Sequence, residues 1–295
     1  MSSAIDLAAI IVILILMSNA LPRSKQVAVV AALTEGCSLR STSRMTGVDR
    51  ETAGTLLARV GEGCEALLDE TMVELPCKRL ELDELWAFVG KKQRHVTERD
   101  GASVGDTWTW LAIDADTKLV PSFLVGKRTD ADARAFVADL SARLTTCVQL
   151  STDGLRSYIT AIGESFGTTG VDYAQVIKSY EAEPLGPGRY SPPKVTEVEK
   201  LPIYGEPIEE LVSTSYAERM NLSVRMMGRR YTRLTNAFSK KLEMHVASTA
   251  LTLAAYNFTR QHRTLRCSPA MAAGVCSTLW STDDLVAAAL DGVRP

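Results

Sequence analysis

At Lys78 the chain changes period, and that change limits the fold more than any other feature of the sequence. Downstream of it, apolar and polar residues alternate with the two-residue repeat of a strand that shows different faces to different surroundings. Arg79–Val89, Trp108–Asp114 and Leu119–Val125 are predicted as strands, the last two joined by the turn Asp114-Ala115-Asp116-Thr117. A polar loop, Lys91 to Asp106, separates the first from the second. Thr129–Leu144 then takes helical spacing, with Ala133, Phe136, Val137, Leu140 and Leu144 along one side. A fourth strand at Val148–Thr152, a helix at Ser157–Phe166 and a fifth strand at Tyr173–Ile177 follow. From Glu181 to about Ile208 the chain is rich in Pro, Gly and Glu without periodicity, which predicts a long surface loop. Helices resume at Ser213 and run to the end.

Three consecutive strands, then helix, strand, helix, strand, helix is the element order of the α/β ribonuclease H-like fold. That fold carries one acidic residue on its first strand, a second at the end of its fourth, and a third on a later helix. Asp83 sits in Leu80-Glu81-Leu82-Asp83-Glu84-Leu85-Trp86, Asp153 ends Val148-Gln149-Leu150-Ser151-Thr152-Asp153, and Glu218 opens a helix. Carboxylates far apart in sequence suit an oxygen-loving cation, since Mg²⁺ is held by a few carboxylates plus waters and substrate phosphates. By alternation Glu81 shares the face of Asp83 and is a substitute ligand, whereas Glu84 points the opposite way. Asp114 and Asp116 read as turn formers, His245 as packing, and Trp86, Trp108 and Trp110 as core residues of apolar strands.

The helix bearing Glu218 carries an apolar stripe of Met220, Val224, Met227, Tyr231 and Leu234. Glu218, Arg225, Arg229 and Arg233 share the opposite side, within about 60° of one another. A mixed-sign face would suggest solvation. Here Arg219, Arg225, Arg229, Arg230, Arg233, Lys240 and Lys241 stand against Glu218 alone until Glu243, so the residues point to phosphate binding.

Upstream of Lys78 the pattern is helical. A first helix ends at Gly36, Ser38 caps a second that ends at Gly47, and Asp49 caps a third with Ala53, Leu56, Leu57 and Val60 inward. Short helices joined by a Gly-containing turn make a helix-turn-helix, in which Arg50, Thr55 and Arg59 face a DNA groove. A plain three-helix bundle shares this periodicity. The expected division is an apolar extension over 1–20, a helix-turn-helix module over 21–75, a catalytic domain over 76–270 and a helical tail over 271–295. Leu7 to Met17 is too short and too poorly flanked for a membrane span or a signal peptide, so a translation start at Met17 is the favoured reading.

A net charge of −2 excludes a protein that coats nucleic acid over its whole surface but permits local basic patches. Six cysteines without a C-x-x-C pair give no zinc spacing, and there is no Gly-Lys-Ser/Thr phosphate loop.

The residues also resemble a known family. Asp83-Glu84-Leu85-Trp86-Ala87-Phe88-Val89-Gly90, Ser151-Thr152-Asp153-Gly154 with Tyr158, and Ser215-Tyr216-Ala217-Glu218-Arg219-Met220-Asn221-Leu222 resemble bacterial insertion-sequence transposases of the insertion-sequence-one type. So do the run from Arg229 to Lys241, Tyr256-Asn257-Phe258, His262-Arg263-Thr264-Leu265-Arg266 and Ser268-Pro269-Ala270-Met271. The resemblance implies an Asp83, Asp153, Glu218 triad that is both catalytic and metal-binding, and it places a basic residue, here Arg225, two turns beyond the glutamate. It implies two Mg²⁺ ions, with Mn²⁺ as a substitute, about 3.5–4 Å apart on the attacking and leaving oxygens. It further implies double-stranded DNA partners (terminal repeats and target), at least a dimer on DNA, no membrane, and a bacterial cytoplasmic, nucleoid-associated location. Arg50, Arg59, Arg225, Arg229, Arg230, Arg233, Lys240 and Lys241 are the expected DNA contacts. A silent DNA-binding regulator and a nuclease that cuts without joining are the alternatives.

Overall fold

The computed structural model describes residues 21–181 and 194–295, so the apolar N-terminal extension lies outside the described residues. Among the described residues no helix is long and apolar enough to cross a membrane.

Three helices open the described chain: α1 (Arg23–Thr34), α2 (Leu39–Thr46) and α3 (Arg50–Thr71). Their ends fall where capping chemistry places them. Ser38 Oγ accepts the Ser41 N–H at 3.1 Å, Gly47 closes α2 in the left-handed region, and Asp49 Oδ1 accepts the Glu51 N–H at 2.7 Å. Ala53, Leu56, Leu57 and Val60 are buried as the spacing predicts.

A six-stranded sheet follows, in the order β3-β2-β1-β4-β5-β6. Its strands are β1 (Arg79–Val89), β2 (Gly105–Asp114), β3 (Phe123–Gly126), β4 (Val148–Asp153), β5 (Val171–Glu181) and β6 (Lys194–Tyr204). β1 runs parallel to β4, and β4 to β5, while β2, β3 and β6 pair antiparallel with their neighbours. Helices α4 (Asp130–Ala142) and α5 (Arg156–Phe166) cover one face, where Trp110 packs edge-on against Tyr158 and beside Phe136. The other face meets α6 (Ser215–Met227) and α7 (Leu242–Phe258). There the Tyr231 hydroxyl lies 2.7 Å from Thr109 Oγ1 and 2.6 Å from Thr249 Oγ1. Asn257 of α7 pins the chain between β2 and β3, donating to the Val120 carbonyl at 2.9 Å and accepting its N–H at 3.0 Å. Two further helices, α8 (Pro269–Ala272) and α9 (Thr282–Asp291), end the chain, and α9 folds back on α3 and α1.

Four expectations need correction. β3 begins at Phe123 rather than Leu119, because Pro121 has no N–H for the ladder. The described part of the expected loop contains β6, paired with β5 from Tyr204↔Tyr173 to Lys194↔Glu181. Register shifts at Tyr173/Ala174 and Ser179/Tyr180 erase any two-residue alternation along that hairpin. The long arginine helix is broken: α6 stops at Met227, Gly228 is extended, and Arg229–Tyr231 forms a separate 3₁₀ turn. Arg229 and Arg233 therefore do not share a helical face with Glu218. Finally, of the three tryptophans expected in the core only Trp110 is fully buried; Trp86 and Trp108 are half-buried.

Candidate active site

β1 and β4 pair only at Arg79↔Gln149, Leu80↔Leu150 and Glu81↔Ser151. Beyond Glu81 they part, and the fork between them holds the acidic cluster. Asp83 lies two residues past the last pair on one branch, and Asp153 ends the other. Asp83, Glu84 and Asp153 each place a carboxylate oxygen within 4.8 Å of the other two.

Glu84 was expected on the far side of the strand. Its backbone does face α5, where the Tyr158 hydroxyl donates to Oε2 at 3.1 Å and Arg128 Nε to Oε1 at 2.7 Å. On its β4 side the open fork leaves β1 without a neighbouring strand to separate the two faces, so the Glu84 carboxylate still meets the cluster. Arg128 spans it as well, with Nη2 at 3.9 Å from Asp153 Oδ2 and its guanidinium 5.0 Å from the centre of the Trp108 ring.

Asp83 is held on both oxygens. Oδ1 accepts the Glu84 N–H at 2.8 Å, and Oδ2 accepts Asn221 Nδ2 at 2.7 Å. Burial, then the neighbouring Glu84, Asp153 and Glu218 charges, push its pKa up to about 7. Asn221 Oδ1 is buried without a hydrogen-bond partner beside this carboxylate. Burial likewise raises Glu84, with Asp153 adding to the effect and Arg128 opposing it.

Glu218 sits in the first turn of α6 and does not join the trio. Lys178 of β5 forms an ion pair with Oε1, which also accepts Thr214 Oγ1 at 3.0 Å. The structure thus brings Asp83 and Asp153 together and holds Glu218 at their flank, near enough for its charge to act on Asp83. Glu81, the expected substitute ligand, serves the helix instead: its Oε2 accepts the N–H groups of Tyr216 and Ala217 at 2.7 and 3.0 Å. These are donors a first helical turn cannot satisfy internally.

Sequence reasoning gave no role to Arg128, Lys178 or Asn221. A lone polar residue on a strand end or helix carries no such signal until the fold brings the elements together.

The expected DNA-contacting cations divide into groups. Arg50, Arg229, Arg230 and Lys240, with Arg40, line one groove of about 570 Å³ between the N-terminal helices and the chain after α6. Arg230 is largely buried, which lowers its pKa, and its Nη1 donates to Ser239 Oγ at 3.3 Å. Arg233 lines an adjoining groove with Trp86 and Arg230. Arg225 is half-buried close to both Arg233 and Asp83. Arg59 is exposed on α3 and Lys241 pairs with Glu243 at 3.7 Å; neither lines the main groove.

Several solved structures resemble the chain at low sequence identity. The piggyBac transposase synaptic complex with hairpin DNA is 10% identical, with a TM-score of 0.42 over 91% of this chain and 69% of that one. The Mos1 strand transfer complex is 16% identical, with a TM-score of 0.23 over 52% of this chain and 58% of that one. An Aquifex aeolicus Argonaute gives 12% identity and a TM-score of 0.26 over 60% of this chain and 28% of that one. No curated protein matches the chain. The model of the IS1 transposase family matches residues 76–183, a stretch that contains Asp83 and Asp153.

Proposed function

We propose that this protein is a DNA transposase that cuts the ends of an insertion sequence and joins the freed 3′-hydroxyls to target DNA. The observation that carries the reading is the meeting of Asp83 and Asp153 oxygens within 4.8 Å at a fork in the sheet, inside the family-matched stretch. The strand order, with β1 central and β4 and β5 parallel to it, supports a ribonuclease H-like catalytic domain. The three N-terminal helices, the second and third capped by Ser38 and Asp49, support a helix-turn-helix DNA-reading module.

The residues fit a divalent cation. All the donors are hard carboxylate oxygens, the Asp83 pKa is raised by burial and then by crowded negative charge, and Asn221 Oδ1 is a buried oxygen without a partner. Asp83 and Asp153 would hold the metal, and Glu218 would complete the set once released from Lys178. When bound, Mg²⁺ activates a hydroxyl nucleophile and stabilises charge on the phosphate. The chain's own share is positioning. Glu81 fixes the start of α6 over β1, Asn221 orients Asp83, and Arg128 neutralises Glu84 beside Asp153. Arg50, Arg229, Arg230 and Lys240 line a groove whose described walls carry no carboxylate, suited to a phosphate backbone. Two DNA ends brought to one reaction call for at least two copies of the chain.

A strand-transfer assay tests this, with the element's terminal DNA and a plasmid target, in Mg²⁺ or EDTA, beside Asp153→Asn. Joined product that needs both metal and Asp153 supports the transposase. Nicking without joining reduces it to a nuclease, and DNA binding without chemistry in any metal reduces it to a regulator.

A further inference from the structure

Helix α6 has two chemically different sides. At about 100° per residue, Glu218, Asn221 and Arg225 face the acidic cluster, while Tyr216, Arg219, Ser223 and Met227 face the opposite way. That second side borders a cavity of about 340 Å³. Its apolar lining includes Ile113, Met220, Met226, Met227 and Tyr256. Its polar groups include Lys118, Arg219, His262 and Arg263, with Arg260, which is paired with Glu35, and no carboxylate of the described residues lines it.

Lys118 is the informative member. It is only 8% exposed, and its ammonium lies 3.5 Å from the centre of the Tyr216 ring. The ammonium's one hydrogen bond among the described residues goes to the Ala115 carbonyl, and no carboxylate there lies within ion-pair distance of it. Glu81 and Asp116 lie near enough to feel its charge without pairing with it, so an anion in the cavity would be its first direct ion-pair partner. His262 and Arg263 reach the same cavity from a tight loop, in which the His262 N–H donates to the Cys267 carbonyl at 2.9 Å and the Arg266 N–H to the His262 carbonyl at 2.8 Å.

We infer that this cavity binds a nucleotide, with its base against Tyr216 and the methionine floor and its phosphate on Lys118, Arg219 and Arg263. An inorganic anion would leave the apolar floor unused, and an apolar ligand would leave the cations unpaired. A single nucleotide matches both halves and the volume, because aromatic and cationic groups together hold unstacked bases. The ligand's class rests on the DNA-handling reading above, while the site shares no residue with the acidic cluster. Its source is either an unpaired nucleotide of a DNA strand or a free nucleotide.

The test is fluorescence in EDTA with two probes: a short thymidine strand carrying one 2-aminopurine, and 2-aminopurine deoxynucleoside monophosphate. Stacking on Tyr216 quenches the probe in the wild-type protein, and Tyr216→Leu relieves the quenching. Arg219→Ala and Arg263→Ala, both at exposed positions, weaken binding roughly tenfold or more, equivalent to losing about one stacked or charge-paired contact. Melting curves check that each variant is folded. Quenching of the strand alone identifies DNA as the source, and equal binding of the monophosphate identifies a free nucleotide. If folded wild-type protein quenches neither probe, or if the variants bind both as tightly as wild type, the inference is overturned. Duplex binding by the same preparation separates the two readings. Duplex bound with both probes ignored removes the cavity site alone, whereas failure to bind any DNA removes the transposase reading as well.

Discussion

Glu81 Oε2 accepts the Ala217 N–H at 3.0 Å, so a buried carboxylate on the strand of Asp83 fastens the helix of Glu218. Glu81→Leu leaves two N–H groups of α6 without their acceptor and should lower unfolding free energy by about 2–3 kcal/mol. Glu81→Gln keeps one oxygen and should cost less than half as much. Urea denaturation of both variants checks the order, and equal stabilities would remove the fastening role.

Asp83 gives a pH-dependent prediction. Its folded pKa of about 7 lies above the ordinary carboxylate value of 3.8, so folding is favoured by its neutral form. That contribution is complete below about pH 4 and is lost as pH rises through 7. In EDTA, Asp83→Asn should therefore exceed wild type in stability at pH 8, by about 2 kcal/mol after allowing for partial solvent access, with the gap shrinking as pH falls from 7 and closing near pH 4. Melting temperatures across that range measure it. Added Mg²⁺ should raise the wild-type melting temperature and leave Asp83→Asn unmoved.

If Glu218 completes the metal site as proposed, Lys178, which pairs with it, competes with the metal. Lys178→Met removes the ion pair and a positive charge at the flank of the cluster, so Mn²⁺ affinity by calorimetry should rise about three- to tenfold. Weaker binding would mean that Lys178 supports the site rather than occupying its third ligand.

Gly63 of α3 allows a close approach of α9. A methyl group there would meet the Ala289 carbonyl oxygen at 1.8 Å, a backbone atom that moves only with its helix. Gly63→Ala should cost about 1–3 kcal/mol by overpacking. Chemical denaturation decides it, and a neutral result would show that α9 shifts freely.

Arg229, exposed at the rim of the basic groove, should act on DNA without regard to sequence. Arg229→Ala should weaken duplex binding evenly across sequences and reduce the slope of log affinity against log salt by about 1. An unchanged slope would place the DNA elsewhere.

Where a single side chain set a boundary, the sequence was enough to place it: the caps at Ser38 and Asp49 and the stop at Gly47 are local chemistry. The break in the arginine helix was signalled by Gly228, but Met220, Val224, Met227, Tyr231 and Leu234 keep helical spacing straight across it. The structure uses the first four in the core and turns Leu234 fully outward at φ +58°. β6 went unseen because its apolar residues include Val195, Val198 and Leu201, all exposed on a hairpin edge with no core face to repeat against. Glu84 was misplaced because alternation assumes a neighbouring strand on each side, and at the fork one is missing.

Val29, Leu57, Val60 and Cys64 of the N-terminal helices belong to the same contiguous core as Leu80 and Leu82 of β1 and Leu251 and Ala254 of α7. α3 also lies close enough to α7 that a side chain at Gly61 would strike Ala247 at 2.5 Å. If the helices read DNA as proposed, nothing hinges between the reading head and the fork. The span from the recognised bases to the severed phosphate then becomes a fixed ruler, cast when the chain folds rather than adjusted when DNA arrives.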